Sequence, residues 1–201
     1  MSGEEQKRLL KIVRRLGVVR PLDLKSQGIP RKRLYELARA GLVERRTRGI
    51  YVARNHGMTE NHTFALVAKQ VPHAVLCLLS ALRFHDFTTQ NPAEVWITLP
   101  DKARRPRLAY PRLRVTCSSG SALTEGIEVH QVEGVDVRVY SAAKTVADCF
   151  KFRNKIGLDV ALEAMWDGWR SRKYTMDEVV RFGRICRVER VMEPYLQAMI
   201  A

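Results

Sequence analysis

Between Gly28 and Val52 the chain reads GIPRKRLYELARAGLVERRTRGIYV, and no other stretch restricts the fold as strongly. Gly28-Ile29-Pro30 makes a turn, after which a short helix carries Arg31, Lys32, Arg33 and Arg39 and stops at Gly41. Two strand-like pieces, Leu42 to Arg45 and Ile50 to Val52, flank a basic tip at Arg46-Thr47-Arg48-Gly49. A basic helix followed at once by a basic-tipped hairpin is the pattern of a winged helix-turn-helix. Such a helix is sized for a major groove, and the hairpin can lie over neighbouring phosphates.

The residues before it complete a small domain, expected over residues 1–56. Ser2-x-x-Glu5 reads as a capping box, and Leu9, Leu10, Val13 and Leu16 give Gly3 to Leu16 an apolar stripe ended near Gly17. Pro21 opens a second, short helix holding Leu22 and Leu24 and stopped by Gly28. Leu34, Leu37 and Ala38 form the inward stripe of the third helix. The expected core is Leu10, Val13, Leu24, Leu34, Leu37, Leu42 and Tyr51.

Charge gathers in the same place. Residues 1–56 hold 15 Lys/Arg against 5 Asp/Glu, and the remaining residues hold 20 against 16. A phosphate polymer suits such a field, because each neutralised phosphate releases counterions. A membrane does not: no apolar run approaches the roughly 18 residues a span needs, and no basic amphipathic helix has an aromatic lipid-facing side. The N-terminus lacks a secretory apolar region, so the expected location is the cytoplasm. Cys77, Cys117, Cys149 and Cys186 are widely separated among apolar neighbours and read as small buried hydrophobes, with no zinc spacing.

Residues 57–201 read as a second domain, after a linker at Asn55 to Thr59. Thr59 can cap a helix bearing Phe64, Val67, Ala68 and Val71 and ended by Pro72. Val75 to Leu79 fits either a buried strand or the start of a Ser80 to His85 helix. Glu94 to Leu99, Leu113 to Cys117, Ile127 to Val132 and Val135 to Tyr140 read as strands, the last two joined by a hairpin turn at Glu133-Gly134. Asp101 to Pro111 is a basic loop with Lys102, Arg104, Arg105 and Arg107. Ser141 caps a helix, and the final third is helical, with Trp166 and Trp169 read as core and Pro194 kinking or restarting the last helix. The fold class is therefore α+β: a winged helix-turn-helix, then a mixed domain with a small sheet and a helical C-terminal third.

Candidate DNA contacts are Arg31, Lys32, Arg33, Tyr35 and Arg39 on the helix, with Arg45, Arg46 and Arg48 on the wing. A second basic patch is expected from Arg104, Arg105, Arg107, Lys144, Lys151, Arg153 and Lys155, to extend the DNA track or meet an acidic partner. Catalysis finds little support. Glu94, Asp101 and Asp136 lie near strands without the acidic-spacer-lysine pattern of a metal nuclease, and the five histidines show no ligand spacing. His85 beside Asp86 reads as a structural histidine. No glycine-rich phosphate loop is present, so no cofactor or metal is expected.

Three segments in this order resemble the AbiEi antitoxin family: RPLDLKSQGIPRKRLYELARAGLVERRTRGIYV, LCLLSALRFHDF followed by EVWITLP, and VRVYSAAKTVADCFKFRNKIGLDVALEA. The resemblance implies an antitoxin of a bacterial toxin–antitoxin (abortive infection) system. Its winged helix would repress its own operon at inverted repeats, with two copies per operator. Its C-terminal domain would counter a nucleotidyltransferase-like toxin, with direct contact left open because type IV antitoxins act without a stable complex. The resemblance places DNA contact on Arg31 to Arg39 and Arg45 to Arg48 and supplies no catalytic residue. The alternatives are a solitary regulator whose C-terminal domain senses a ligand or partner, and a metal-dependent nuclease.

Overall fold

The computed structural model describes residues 3–54, 57, 59–88 and 92–200. Ser2 of the expected capping box, and Asn55, His56 and Met58 of the expected linker, lie outside the described residues. The chain is α+β and divides into two compact units. One comprises Met1–Pro72, Leu108–Pro111 and His130–Val137, and the other His73–Arg107, Arg112–Val129 and Arg138–Ala201.

In the first unit the order is α1 (Gly3–Leu16), β1 (Val18–Val19), α2 (Pro21–Lys25), α3 (Arg31–Arg39), β2 (Val43–Thr47), β3 (Ile50–Ala53) and α4 (His62–Gln70). Its sheet runs β1-β3-β2, all antiparallel, with Val18 opposite Val52 and Val43 opposite Ala53. This is a winged helix-turn-helix. Val13, Leu24, Leu34, Leu37 and Tyr51 are buried together, while Leu10 and Leu42 pack against them half-buried.

Both helix ends that frame α3 are closed by the same device. The Ile29 amide donates to the Leu24 carbonyl (2.9 Å) and the Leu42 amide to the Leu37 carbonyl (3.1 Å), with Gly28 and Gly41 in the left-handed conformation between. These turns stop α2 before α3 and α3 before the wing.

A further left-handed glycine has a tighter setting. Gly17 (φ 62°) ends α1, and a methyl group there would overlap the Glu133 carbonyl oxygen. Gly28 (φ 72°) meets no atom within 4 Å. Gly28→Ala should therefore cost only the left-handed penalty, about 1–2 kcal/mol. Gly17→Ala should exceed it by an overpacking cost of about 1–3 kcal/mol. Thermal unfolding followed by circular dichroism checks this, and equal losses would show that the Glu133 backbone yields freely.

The Glu133 carboxylate has its own partners. It accepts from the Thr59 amide (2.7 Å) and hydroxyl (3.0 Å) and lies 2.6 Å from His62 Nδ1. Burial raises its pKa, but the His62 and Thr59 bonds outweigh burial and hold it below the usual carboxylate range. Thr59 is thus not the cap of α4; Asn61 occupies that position, and the Thr59 hydroxyl serves Glu133.

The second unit contains β4 (Val75–Leu76), α5 (Leu78–Phe84), β5 (Val95–Pro100), β6 (Leu113–Ser118), α6 (Ser121–Thr124), β7 (Ile127–Val132), β8 (Val135–Tyr140), α7 (Ala142–Lys151), α8 (Arg153–Ile156), α9 (Leu158–Arg170), α10 (Met176–Ile185) and α11 (Glu189–Ile200), the tip of the β7–β8 hairpin belonging to the first unit. The sheet order is β6-β5-β4-β8-β7, with β5–β6 and β4–β8 parallel and β4–β5 antiparallel. Val75 to Leu79 divides between a strand and a helix. Pro194 lies within α11.

Helix α7 is the centre of this unit. Every residue from Ala142 to Phe150 is buried, against α5, α9 and α10. Ser141 caps it, accepting from the Lys144 amide (3.4 Å). Of the four thiols, Cys77, Cys149 and Cys186 are buried as expected, but Cys117 is half-buried on β6. Trp169 is also a correction: it is 36 % exposed at the end of α9 rather than core. His85 has its structural role, its Nε2 lying 2.7 Å from the Tyr140 carbonyl oxygen.

Candidate nucleic-acid interface

Helix α3 separates its faces by spacing. Leu34 and Leu37 point into the core, which leaves Arg31, Tyr35 and Arg39 at i, i+4 and i+8 on the opposite side, with Lys32 beside them; all four are exposed. Tyr35 is 46 % exposed, yet its ring lies 6.2 Å from the buried ring of Tyr51 on β3. That packing ties the exposed face of the helix to the sheet that carries the wing.

Arg33 occupies a different position. Its guanidinium meets Glu36 at 2.9 Å and Glu5 of α1 at 3.0 Å. The hydrogen bond to Glu36 strengthens its hold on the proton and lowers the pKa of Glu36 in return. Arg33 thus braces α3 against α1, and the structure does not group it with the exposed face.

On the wing, Arg45, Arg46 and Arg48 are all exposed. The turn is tighter than the expected four-residue tip: only Arg48-Gly49 lie between the strands, and Arg46 is part of β2. The register slips between Arg45 and Thr47, as at a bulge, and Arg46 meets Glu44 at 3.4 Å.

Other cations of this unit escaped the sequence reading. Lys7, Arg8, Lys11, Arg14 and Arg15 are exposed along α1, and Arg54 is exposed after β3. Their signal was the charge run itself, which the apolar stripe of α1 overshadowed. Arg20 and Lys69, by contrast, are occupied: both meet Asp23, at 3.2 and 3.0 Å. Burial opposes ionisation of Asp23, but the Arg20 amide and Lys69 outweigh it and depress its pKa.

The expected second patch does not survive as one surface. Lys144 is 1 % exposed, and its Nζ lies 2.6 Å from Asp148 Oδ2 and 4.0 Å from the centre of the Tyr140 ring. It faces inward because α7 is covered on all sides, so its charge is answered in the core. Arg153 is half-buried and donates to the Phe150 carbonyl (2.9 Å). Lys151 and Lys155 are exposed, their ammonium groups 5.8 and 5.3 Å from the Phe152 ring centre. Arg104, Arg105 and Arg107 are exposed on the segment after β5. Among the described residues no three His, Cys, Asp or Glu side chains converge as a metal site requires, and no helix is long and apolar enough to cross a membrane.

Residues 7–54 match a family model described as transcriptional regulator, AbiEi antitoxin. The chain is similar in fold to the crystal structure of RV2827C protein from Mycobacterium tuberculosis, with a TM-score of 0.54 and 14% identity over 88% of this chain and 70% of that one. No curated protein matches it in sequence. The matched residues run from α1 through the wing and include every exposed cation of α3 and the hairpin. The likeness to the AbiEi antitoxin family of transcriptional regulators therefore lies in residues 7–54, from α1 through the wing.

Proposed function

We propose that the protein is the DNA-binding antitoxin of a bacterial toxin–antitoxin system and represses its own operon. The observation that carries this reading is the exposed Arg31, Lys32, Tyr35 and Arg39 face beside the Arg45, Arg46 and Arg48 wing, within the segment that matches a regulator family. An α-helix is about 10–12 Å across with its side chains, which suits a major groove about 12 Å wide. Arg31 and Arg39 would read base edges, Lys32 and Tyr35 would meet base or backbone, and the wing arginines would hold phosphates. Arg33 keeps α3 in place. Two copies would occupy an inverted repeat, each reading one half-site.

In this reading the second unit counters a nucleotidyltransferase-like toxin in the cytoplasm, and the protein itself performs no chemistry. A gel-shift titration on the protein's own upstream region tests the first half. It should show specific retardation that weakens steeply as salt rises. Binding no tighter than to unrelated duplex would exclude a repressor. Co-expression with the neighbouring toxin gene tests the second half: growth should recover with the full chain, including a variant lacking the wing arginines.

A further inference from the structure

A cavity of about 800 Å³ in the second unit shares no residue with the DNA-binding face. It opens at the carboxyl ends of the parallel strands β5 and β6, which finish level, Pro100 opposite Ser118. The Asp101 amide joins them by donating to the Ser118 carbonyl (3.2 Å). In sheets with parallel strands this is the end at which ligands bind, because chains leaving the strands diverge there and open a crevice.

The lining is polar. Ser118, Ser119, Gly120 and Ser121 form one wall, Lys151 at the end of α7 and Arg187 after α10 supply cations, and Asp101 sits at the rim. Among the described residues neither Lys151 nor Arg187 forms an ion pair, so both cations line the cavity together with its serines. Arg187 also holds φ 60° in the turn that closes α10, where the Val188 amide donates to the Gly183 carbonyl (2.8 Å). Glycine is the ordinary occupant of that position.

The floor supports binding rather than covalent chemistry. Cys186 is buried and donates its thiol hydrogen to Asp148 Oδ1 (3.3 Å). Burial, reinforced by the Asp148 charge, pushes that thiol up to about 12, so it stays protonated near neutral pH and is no nucleophile.

We propose that this cavity binds a small phosphate monoester of a sugar, of free-nucleotide size. Lys151 and Arg187 meet the phosphate with donors from the serine wall, and Asp101 accepts from a sugar hydroxyl. The volume falls within the usual range for small-molecule sites, about 300–1,000 Å³.

Cys117 supplies a local test. It lines the cavity and is half-buried, whereas the other three thiols are buried, so iodoacetamide should label it first in the folded chain. In the full-length protein, AMP or ribose 5-phosphate at about 10 mM should slow labelling of Cys117 roughly tenfold if binding is near 1 mM. Adenosine should not. Phosphate esters held by the N-terminal unit would leave this rate unchanged, which separates the test from the DNA-binding reading. Arg187→Gly should abolish protection without loss of thermal stability, since glycine suits the turn better, and Lys151→Ala should weaken it. Labelling unaffected by either ester, equal protection by adenosine, or protection that survives both substitutions overturns the proposal.

Discussion

Replacing Arg31 and Arg39 together by alanine should cost about 2–6 kcal/mol of operator affinity, taking about 1–3 kcal/mol for each base-reading arginine removed. The residues are eight apart on α3, about 12 Å along the axis, far enough for the two effects to add. Binding to unrelated duplex should fall much less, so sequence preference should collapse. Removing Arg45, Arg46 and Arg48 should act the other way. Affinity for every sequence should drop alike, and the slope of log affinity against log salt should flatten by about 0.9 for each phosphate no longer neutralised. Arg33→Ala should leave preference intact, because its guanidinium is engaged by Glu5 and Glu36. Gel-shift competition across a salt series separates these outcomes. An equal drop on specific and unrelated DNA for the α3 double variant would make that helix a backbone clamp, and no drop at all would remove it from the interface.

The contrast between Arg31 and Arg33 marks where sequence reasoning ended. Periodicity put Leu34 and Leu37 inside, and glycine stops bounded the helix, because both signals are local. Which of three adjacent cations faces solvent and which meets Glu5, 28 residues earlier, depends on how α1 crosses α3, and no local pattern carries that. The same limit hid β1. Val18-Val19 is too short to show alternation and is a strand only because β3 pairs with it. The Glu133-Gly134 turn was legible, but the approach of Glu133 to Thr59 and His62 was not. Within the second unit the strands could be read one by one, while their mixed order depends on long-range pairing. Lys144 was misplaced although a signal existed: AAKTVADCF contains a lysine and an aspartate four apart in an otherwise apolar helix, the spacing of a self-contained buried pair.

That pair carries the largest stability effect expected in the second unit. Lys144→Ala should cost about 3–5 kcal/mol, because it leaves Asp148 charged and without its cation in a site where water cannot replace it. The thiol of Cys186 still donates to the other carboxylate oxygen, but a weak neutral donor does not offset a missing ammonium. Lys144→Met combined with Asp148→Leu should lie far closer to the native protein, since exchanging both charges for apolar groups of similar volume is often neutral or stabilising. The packing of α7 sets a limit on that recovery. Lys144 also covers the Tyr140 ring, and any residue there must share space with Phe182 and Gly126. All three tryptophans, Trp96, Trp166 and Trp169, belong to the second unit, so their fluorescence in a urea titration follows that unit alone while the N-terminal unit stays silent. A double variant as unstable as the single one would mean that the shape of the lysine stem, not its charge pairing, holds α7 in place.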